Sequence, residues 1–155
     1  MLFRSVSQSR YKAIFGYGYT GSNVSMTNLV NNAGTVNADV SGVGTARHAL
    51  AAAGYGGDKA IFGYGTTGSN LSMTNLVSNT GTVASDTTGV GTARYALAAA
   101  GYGGDKAIFG YGTTSSSASI SVSMTNLVSN TGTVATDTTG VGTARWALAA
   151  AGYST

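Results

Sequence analysis

Apolar and polar positions along this chain alternate over short runs, and no apolar stripe at helical spacing extends beyond one or two turns. One stretch of 47 residues carries four such runs, "KAIFGYG", "SMTNLVS", "TVASDTT" and "ARYALAAAGY". They are separated by turn chemistry such as "NTG" and "GYGGD", and about twelve residues for each strand and turn fits four short strands. Thr, Val, Asn and Gly dominate these runs and favour strands and turns over helix interiors. The run "YALAAA" is the exception, because alanine is a strong helix former. It is closed at once by "GYGG", and a helix that short is marginal on its own. Residues 93–112 are therefore expected to form a hairpin: a small-residue strand, a glycine turn, and "DKAIFGYG" as its partner. Alternation puts Tyr95, Leu97 and Ala99 on one face and Arg94, Ala96, Ala98 and Ala100 on the other. In the partner strand, Phe109 and Tyr111 oppose Lys106, Ile108 and Gly110. Both faces are apolar on average, as in a sheet covered on both sides.

The pattern repeats. Lys12, Lys59 and Lys106 begin near-copies spaced 47 residues apart, each closing with a "GTV…GVGTAR…ALAAAGY" tail. From Met73 to Met124 the spacing is 51, because the third copy has a four-residue insertion around Ser116 to Ile120. Units of this length point to helical pairs or four-stranded propeller blades, and the strand pattern selects blades. An open β solenoid suits Thr and Asn ladders but is disfavoured by the long period. The domain limits are then 1–10 for a non-repeat leader, truncated or artefactual in origin, and 11–155 for one repeat domain of three blades (11–57, 58–104, 105–155). Near-identity of the units indicates recent duplication.

Composition adds exclusions. Charged residues make up 8% of the 155 residues, against about a quarter in typical domains. Beyond Arg4 and Arg10 there remain six Lys or Arg against five Asp, a balance of +1. That gives no electrostatic case for nucleic acid or an anionic membrane, and no apolar run reaches the roughly 20 residues of a membrane helix. Cysteine and glutamate are absent and there is one histidine. Acid and base pairs would have to be built from Asp alone, so the expectation is no enzyme, no cofactor and no metal.

The stretch "ARYALAAAGYGGDKAIFGYG" resembles a kelch-type repeat: an Arg, a small-residue strand, a short turn, then a strand in the place of that family's Gly-Gly-ending strand. Here the Gly-Gly doublet stands as Gly-Tyr-Gly, and the family's later Tyr and Trp positions are missing. The resemblance spans residues 11–155 and implies an all-β protein of three four-stranded kelch-like β-propeller blades, either half of a six-bladed ring or a fragment of a larger propeller. On the first reading the partner is a second copy, a homodimer completing the ring; on the second it is the missing blades of a longer chain. The text "IFGYG…TNLVSNTG" is also similar to repeat arrays of marine phage and environmental viral proteins. That likeness implies a virion or extracellular surface and a tail-fibre-like role contacting a cell-surface glycan or protein. The alternatives are a cellular lectin-like or scaffold propeller, and a fragment of a propeller enzyme whose active site lies elsewhere.

Two sets of residues stand out as candidate sites. Each unit carries one Asp and one Arg in register, Asp39 with Arg47, Asp86 with Arg94, and Asp137 with Arg145. They read as a repeated polar ring, structural before functional, tying a strand or turn inside each blade. The residue after each Arg is His48, Tyr95 or Trp146, three different rings with a polar edge in otherwise near-identical units. Such rings can stack on sugars or bases, or fill space between blades. Asp58-Lys59 and Asp105-Lys106 lie on a glycine-rich turn and read as solvated. Asn23-Val-Ser and Asn70-Leu-Ser are formal glycosylation acceptors, expected by chance in so Asn- and Ser-rich a chain.

Overall fold

The computed structural model describes residues 12–115 and 120–154. These residues form eight strands, and among them there is no helix. The strands are β1 (Ala13–Tyr19), β2 (Asn23–Val30), β3 (Ala51–Tyr55), β4 (Lys59–Gly63), β5 (Thr74–Val77), β6 (Ala98–Tyr102), β7 (Lys106–Gly110) and β8 (Thr125–Val128). They make three antiparallel sheets, β1-β2, β3-β4-β5 and β6-β7-β8. The fold is all-β, as the residue pattern implies. The leader expected at 1–10 lies outside the described residues.

The expected hairpin over 93–112 forms, with a shorter first strand than alternation implies. β6 pairs with β7 from Ala98 opposite Gly110 to Tyr102 opposite Lys106, and β3 pairs with β4 in the same register. The glycine pair in the turn is required by the backbone: Gly103 and Gly104 take φ of 59° and 82°, left-handed values that a side chain disfavours. Alternation does not extend back to Arg94, because Ala96 itself has φ of 50° and breaks the strand. In β4 both Ile61 and Phe62 are buried, so that strand is covered on both faces.

Four-stranded blades do not form. The fourth segment of each unit meets the third strand only at two single bridges, Val77 with Val83 and Thr74 with Thr87 in the middle unit. Between these bridges the third strand advances three residues and the fourth segment advances four. The extra residue behaves like a bulge and prevents a continuous ladder. Side chains replace the missing backbone bonds: the Asn75 Nδ2 group donates to Ala84 O at 3.1 Å and to Asp86 Oδ1 at 2.9 Å. The same count and the same pair of side-chain bonds recur in the third unit at Val128/Val134 and Thr125/Thr138.

The core lies at the joints between units. Tyr17 meets Phe62 edge to face at 5.2 Å, and Tyr64 meets Phe109 at the same distance and angle. Full burial of a phenylalanine contributes about 1.5–3 kcal/mol. Space for each ring comes from a glycine: a Cβ on Gly63 would lie 2.6 Å from the Phe109 ring. The small-residue segments also meet one another. Ala96 N–H donates to Ala49 O, and Ala147 N–H to Ala96 O, both at 2.8 Å. A Cβ on Gly101 would stand 3.4 Å from Gly54 O, and one on Gly152 2.7 Å from Gly101 O. The Ala and Gly content of these segments is thus explained by close approach of successive units.

Candidate functional site

The "GYG" segment builds the joint. Tyr17, Tyr64 and Tyr111 all adopt φ of 63–66°, the left-handed region, at a cost of about 1–2 kcal/mol each. In β1 this coincides with a break in register between Gly16 and Gly18. The break turns each tyrosine ring under the arginine of its own unit. The guanidinium carbon lies 4.3 Å from the ring centroid for Arg47 over Tyr17 and for Arg94 over Tyr64. The hydroxyl of Tyr64 donates to Val90 O at 3.2 Å, fixing the loop that leads to the arginine.

Each arginine then reaches into the next unit. Arg47 donates from Nε to Tyr64 O at 2.8 Å, from Nη2 to Asn75 Oδ1 at 2.8 Å, and from Nη1 to Thr45 O of its own unit at 3.1 Å. Arg94 repeats this with Tyr111 O at 2.8 Å, Asn126 Oδ1 at 2.7 Å and Thr92 O at 3.1 Å. Both guanidinium groups are fully buried, which is tolerable only because their donors are used. A carboxylate returns the contact: Asp86 accepts from Thr45 N–H at 3.0 Å and from the Thr45 hydroxyl at 2.7 Å. Asp137 accepts the same pair of bonds from Thr92.

This places the in-register Asp and Arg residues differently from their local spacing. Arg47 faces Asp86, and Arg94 faces Asp137, each at 4.0 Å and each across a joint. They tie one unit to the next and not a turn inside one unit. Asp39 and Arg145 are left at opposite ends. Asp39 accepts from Asn28 Nδ2 at 2.7 Å, and Arg145 donates to Thr143 O at 3.0 Å while lying 4.2 Å over Tyr111. The partners that local spacing missed are Asn75, Asn126, Tyr64 and Thr92. The signal that could have found them is their identity in every unit.

The electrostatics follow from this placement. Burial raises the carboxyl pKa of Asp86, but the bonds from Thr45 and Asn75 and the Arg47 charge outweigh it, and the net direction is downward. Asp137 behaves in the same way with Thr92, Asn126 and Arg94. Burial raises the Tyr17 and Tyr64 phenols, against the pull of the arginine each one supports.

Two of the three variable rings, His48 and Tyr95, sit beside these joints. His48 and Thr66 exchange backbone bonds of 3.1 and 2.9 Å, and Tyr95 and Thr113 exchange bonds of 3.1 and 3.0 Å. Their side chains are half-buried, with His48 Nδ1 2.7 Å from Asn23 Oδ1 and Tyr95 Oη donating to Ser115 O at 3.1 Å. Trp146 is 47% exposed. The structure therefore places His48 and Tyr95 at equivalent positions and leaves Trp146, at the same place in its repeat, exposed and without a bridge among the described residues. Asn23 and Asn70 are engaged near the same positions, Asn70 Nδ2 donating to Thr114 O at 2.8 Å.

A cavity of about 960 Å³ opens beside the hairpin turns, lined in part by Lys12, Tyr55, Lys59, Tyr102, Lys106 and Tyr153. Lys59 and Lys106 are engaged by their neighbours Asp58 and Asp105 at 2.7 and 3.0 Å, in exposed pairs of the kind that contribute little stability. Among the described residues no group of three His, Cys, Asp or Glu side chains is placed to hold a metal ion, and no helix is long and apolar enough to cross a membrane. No family model matches the chain, and no curated protein shows significant similarity to it.

Proposed function

We propose that the protein is a non-enzymatic structural and binding module, in which stacked repeat units present equivalent surface positions to a ligand. The observation that carries this reading is the use of the charged residues. Arg47, Arg94, Asp86 and Asp137 are spent on joining units, in two joints whose corresponding bonds agree to 0.1 Å. A reacting group needs a donor or acceptor left available for substrate, and these four have theirs engaged within the protein. The kelch-like likeness enters only as layout: a small-residue strand, a glycine turn and an "AIFGYG" strand in each unit.

The ligand reading rests on the ring position. In units that are otherwise almost copies, His48, Tyr95 and Trp146 differ at one register, beside the joint for the first two and exposed for the third, where an aromatic face can stack on a sugar ring. A cell-surface glycan, met by a virion or extracellular fibre-like protein, is the ligand class this favours. Substituting all three rings by alanine should abolish binding on a glycan array while the far-ultraviolet circular dichroism stays that of the parent. Retained binding by the triple variant, or no glycan binding by the parent chain, overturns the ligand reading.

A further inference from the structure

The first and third units each carry half of the joint that occurs twice between the three units. At the C-terminal end, Arg145 stacks on Tyr111 as Arg47 and Arg94 do on their tyrosines, but it is exposed, and among the described residues its guanidinium donates only to Thr143 O. At the other end, Asn28 and Asp39 are already joined at 2.7 Å, as Asn75 and Asp86 are at 2.9 Å. No donor from the described residues reaches the Asn28 Oδ1 atom, whereas Asn75 and Asn126 accept from Arg47 and Arg94 there. Phe15 is 61% exposed, while its counterparts Phe62 and Phe109 are 3% and 0% exposed. Gly110 is the counterpart of Gly63: a Cβ on Gly63 would strike Phe109 at 2.6 Å, but one on Gly110 would meet only Thr125, at 3.3 Å. A knob stands at one end and its socket at the other.

We propose that these ends bind each other between molecules, and that the partner of this surface is a second copy of the chain docked head to tail. This rests on the reading of the protein as a stack of equivalent units. Arg145 of one copy donates to Tyr17 O and Asn28 Oδ1 of the next, and the Thr143 N–H and hydroxyl donate to Asp39. Phe15 packs on Tyr111 over Gly110. Charge is complementary, with the cation on one face and the carboxylate on the other, so the contact is heterologous and closes into a ring or extends as a filament. Residues 149–153, which match β3 and β6 in sequence, run beside the outer edge of β1. The register of the internal hairpins sets Ala149 opposite Gly16 and Tyr153 opposite Lys12. Trp146 then meets Tyr19 as His48 and Tyr95 meet Thr66 and Thr113.

The test is sedimentation velocity on the full chain, with the emission of Trp146, the sole tryptophan, followed over a dilution series. The parent chain is expected to associate with rising concentration as the Trp146 emission shifts to the blue. Arg145→Ala removes one face and Phe15→Ser the other, and each alone should weaken association on the order of 100-fold. An equimolar mixture of the two retains one sound joint and should form dimers and nothing larger. Gly110→Ala fills the socket without removing any contact within the chain, and should also block association. A parent chain that stays monomeric at every concentration, variants that associate like the parent, or a mixture that fails to recover dimers each overturns the proposal. Glycan binding is measured on the Arg145→Ala chain, so that failure of the ligand reading is seen separately from failure of the docking reading.

Discussion

Arg94 and Arg145 occupy the same motif, and the structure assigns them very different weights. Replacing Arg94 by alanine removes three hydrogen bonds of 2.7–3.1 Å, the 4.0 Å approach to Asp137 and the stacking on Tyr64. It also leaves Asn126 Oδ1, on a fully buried residue, and Tyr111 O, on a half-buried one, without their donor. Hydrogen bonds to a charged group contribute about 1.5–3 kcal/mol each, but they are not additive, and relaxation recovers part of the loss. Asp137, the carboxylate left behind, is 30% exposed and keeps its bonds from Thr92 and Asn126, so the cost comes chiefly from the stranded partners of the guanidinium and amounts to about 3–5 kcal/mol. Against a domain stability of about 5–15 kcal/mol this is a large fraction, equivalent to a fall in melting temperature of roughly 6–20 °C at this chain length. Arg145→Ala removes one exposed hydrogen bond and one stacking contact, and should cost about 1 kcal/mol or less. Urea unfolding followed by circular dichroism, at dilutions where the chain is monomeric, compares the two directly. Equal shifts in midpoint for the two variants would refute the claim that the arginine acts by bridging units.

Three further outcomes follow from the same joints. Because Asp86 and Asp137 have folded pKa values below the ordinary one, their contribution is complete above about pH 4 and is lost as pH falls through the folded values. The exposed Asp58 and Asp105 are lowered too, chiefly by the lysine hydrogen bonds, and add to the same acid limb. An Asp86→Asn, Asp137→Asn double variant should therefore be less stable at neutral pH and show a shallower acid limb; an unchanged acid limb excludes these two carboxylates as its source. Gly91 has φ of 75° and a Cβ there would strike Asp137 and Asn126, whereas Gly142, at 78°, has only Tyr111 Oη at 3.6 Å. Gly91→Ala should then be more destabilising than Gly142→Ala by about 1–3 kcal/mol in urea melts, although both carry the same backbone strain. Tyr64→Phe keeps the ring under Arg94 and loses the bond to Val90 O, for a cost of about 1 kcal/mol by calorimetry, while Tyr64→Leu also loses the stacking and should cost distinctly more.

The sheet content and the hairpin at 93–112 were legible in the sequence because both depend on local chemistry: short alternating runs, left-handed glycines in the turn, and a period too regular to be accidental. The fourth strand was not, since "TVASDTT" has strand composition and nothing local shows that its two bridges are spaced one residue wider than those of its partner. The Asp and Arg partners were misplaced for a different reason. Asp86 stands eight residues before Arg94 and 39 after Arg47, and short spacing suggests the nearer pair. The decision is made by the left-handed Tyr64, which lays its own arginine across the joint, and φ at a non-glycine residue is not written in composition. The ring position at His48, Tyr95 and Trp146 was visible as variation within near-copies, but the place of the first two beside a joint emerges only once the units are stacked.

The third unit holds four residues more than the others, and its joint does not register them. Thr67 N–H closes onto Ser69 O at 3.1 Å and Thr114 N–H onto Ile120 O at 3.2 Å, one intervening residue in the first case and five in the second. Leu71 N–H to Gly65 O and Val122 N–H to Gly112 O are both 2.9 Å, with the added length held between them. Thr45 bonds Asp86 from 41 residues away and Thr92 bonds Asp137 from 45, with the same 3.0 Å backbone contact. The stack keeps its pitch by matching atoms at the joints and not by counting residues. New sequence can therefore accumulate between Gly112 and Val122 without disturbing the atoms that meet at the joints, so length is free to vary where the stack does not measure it.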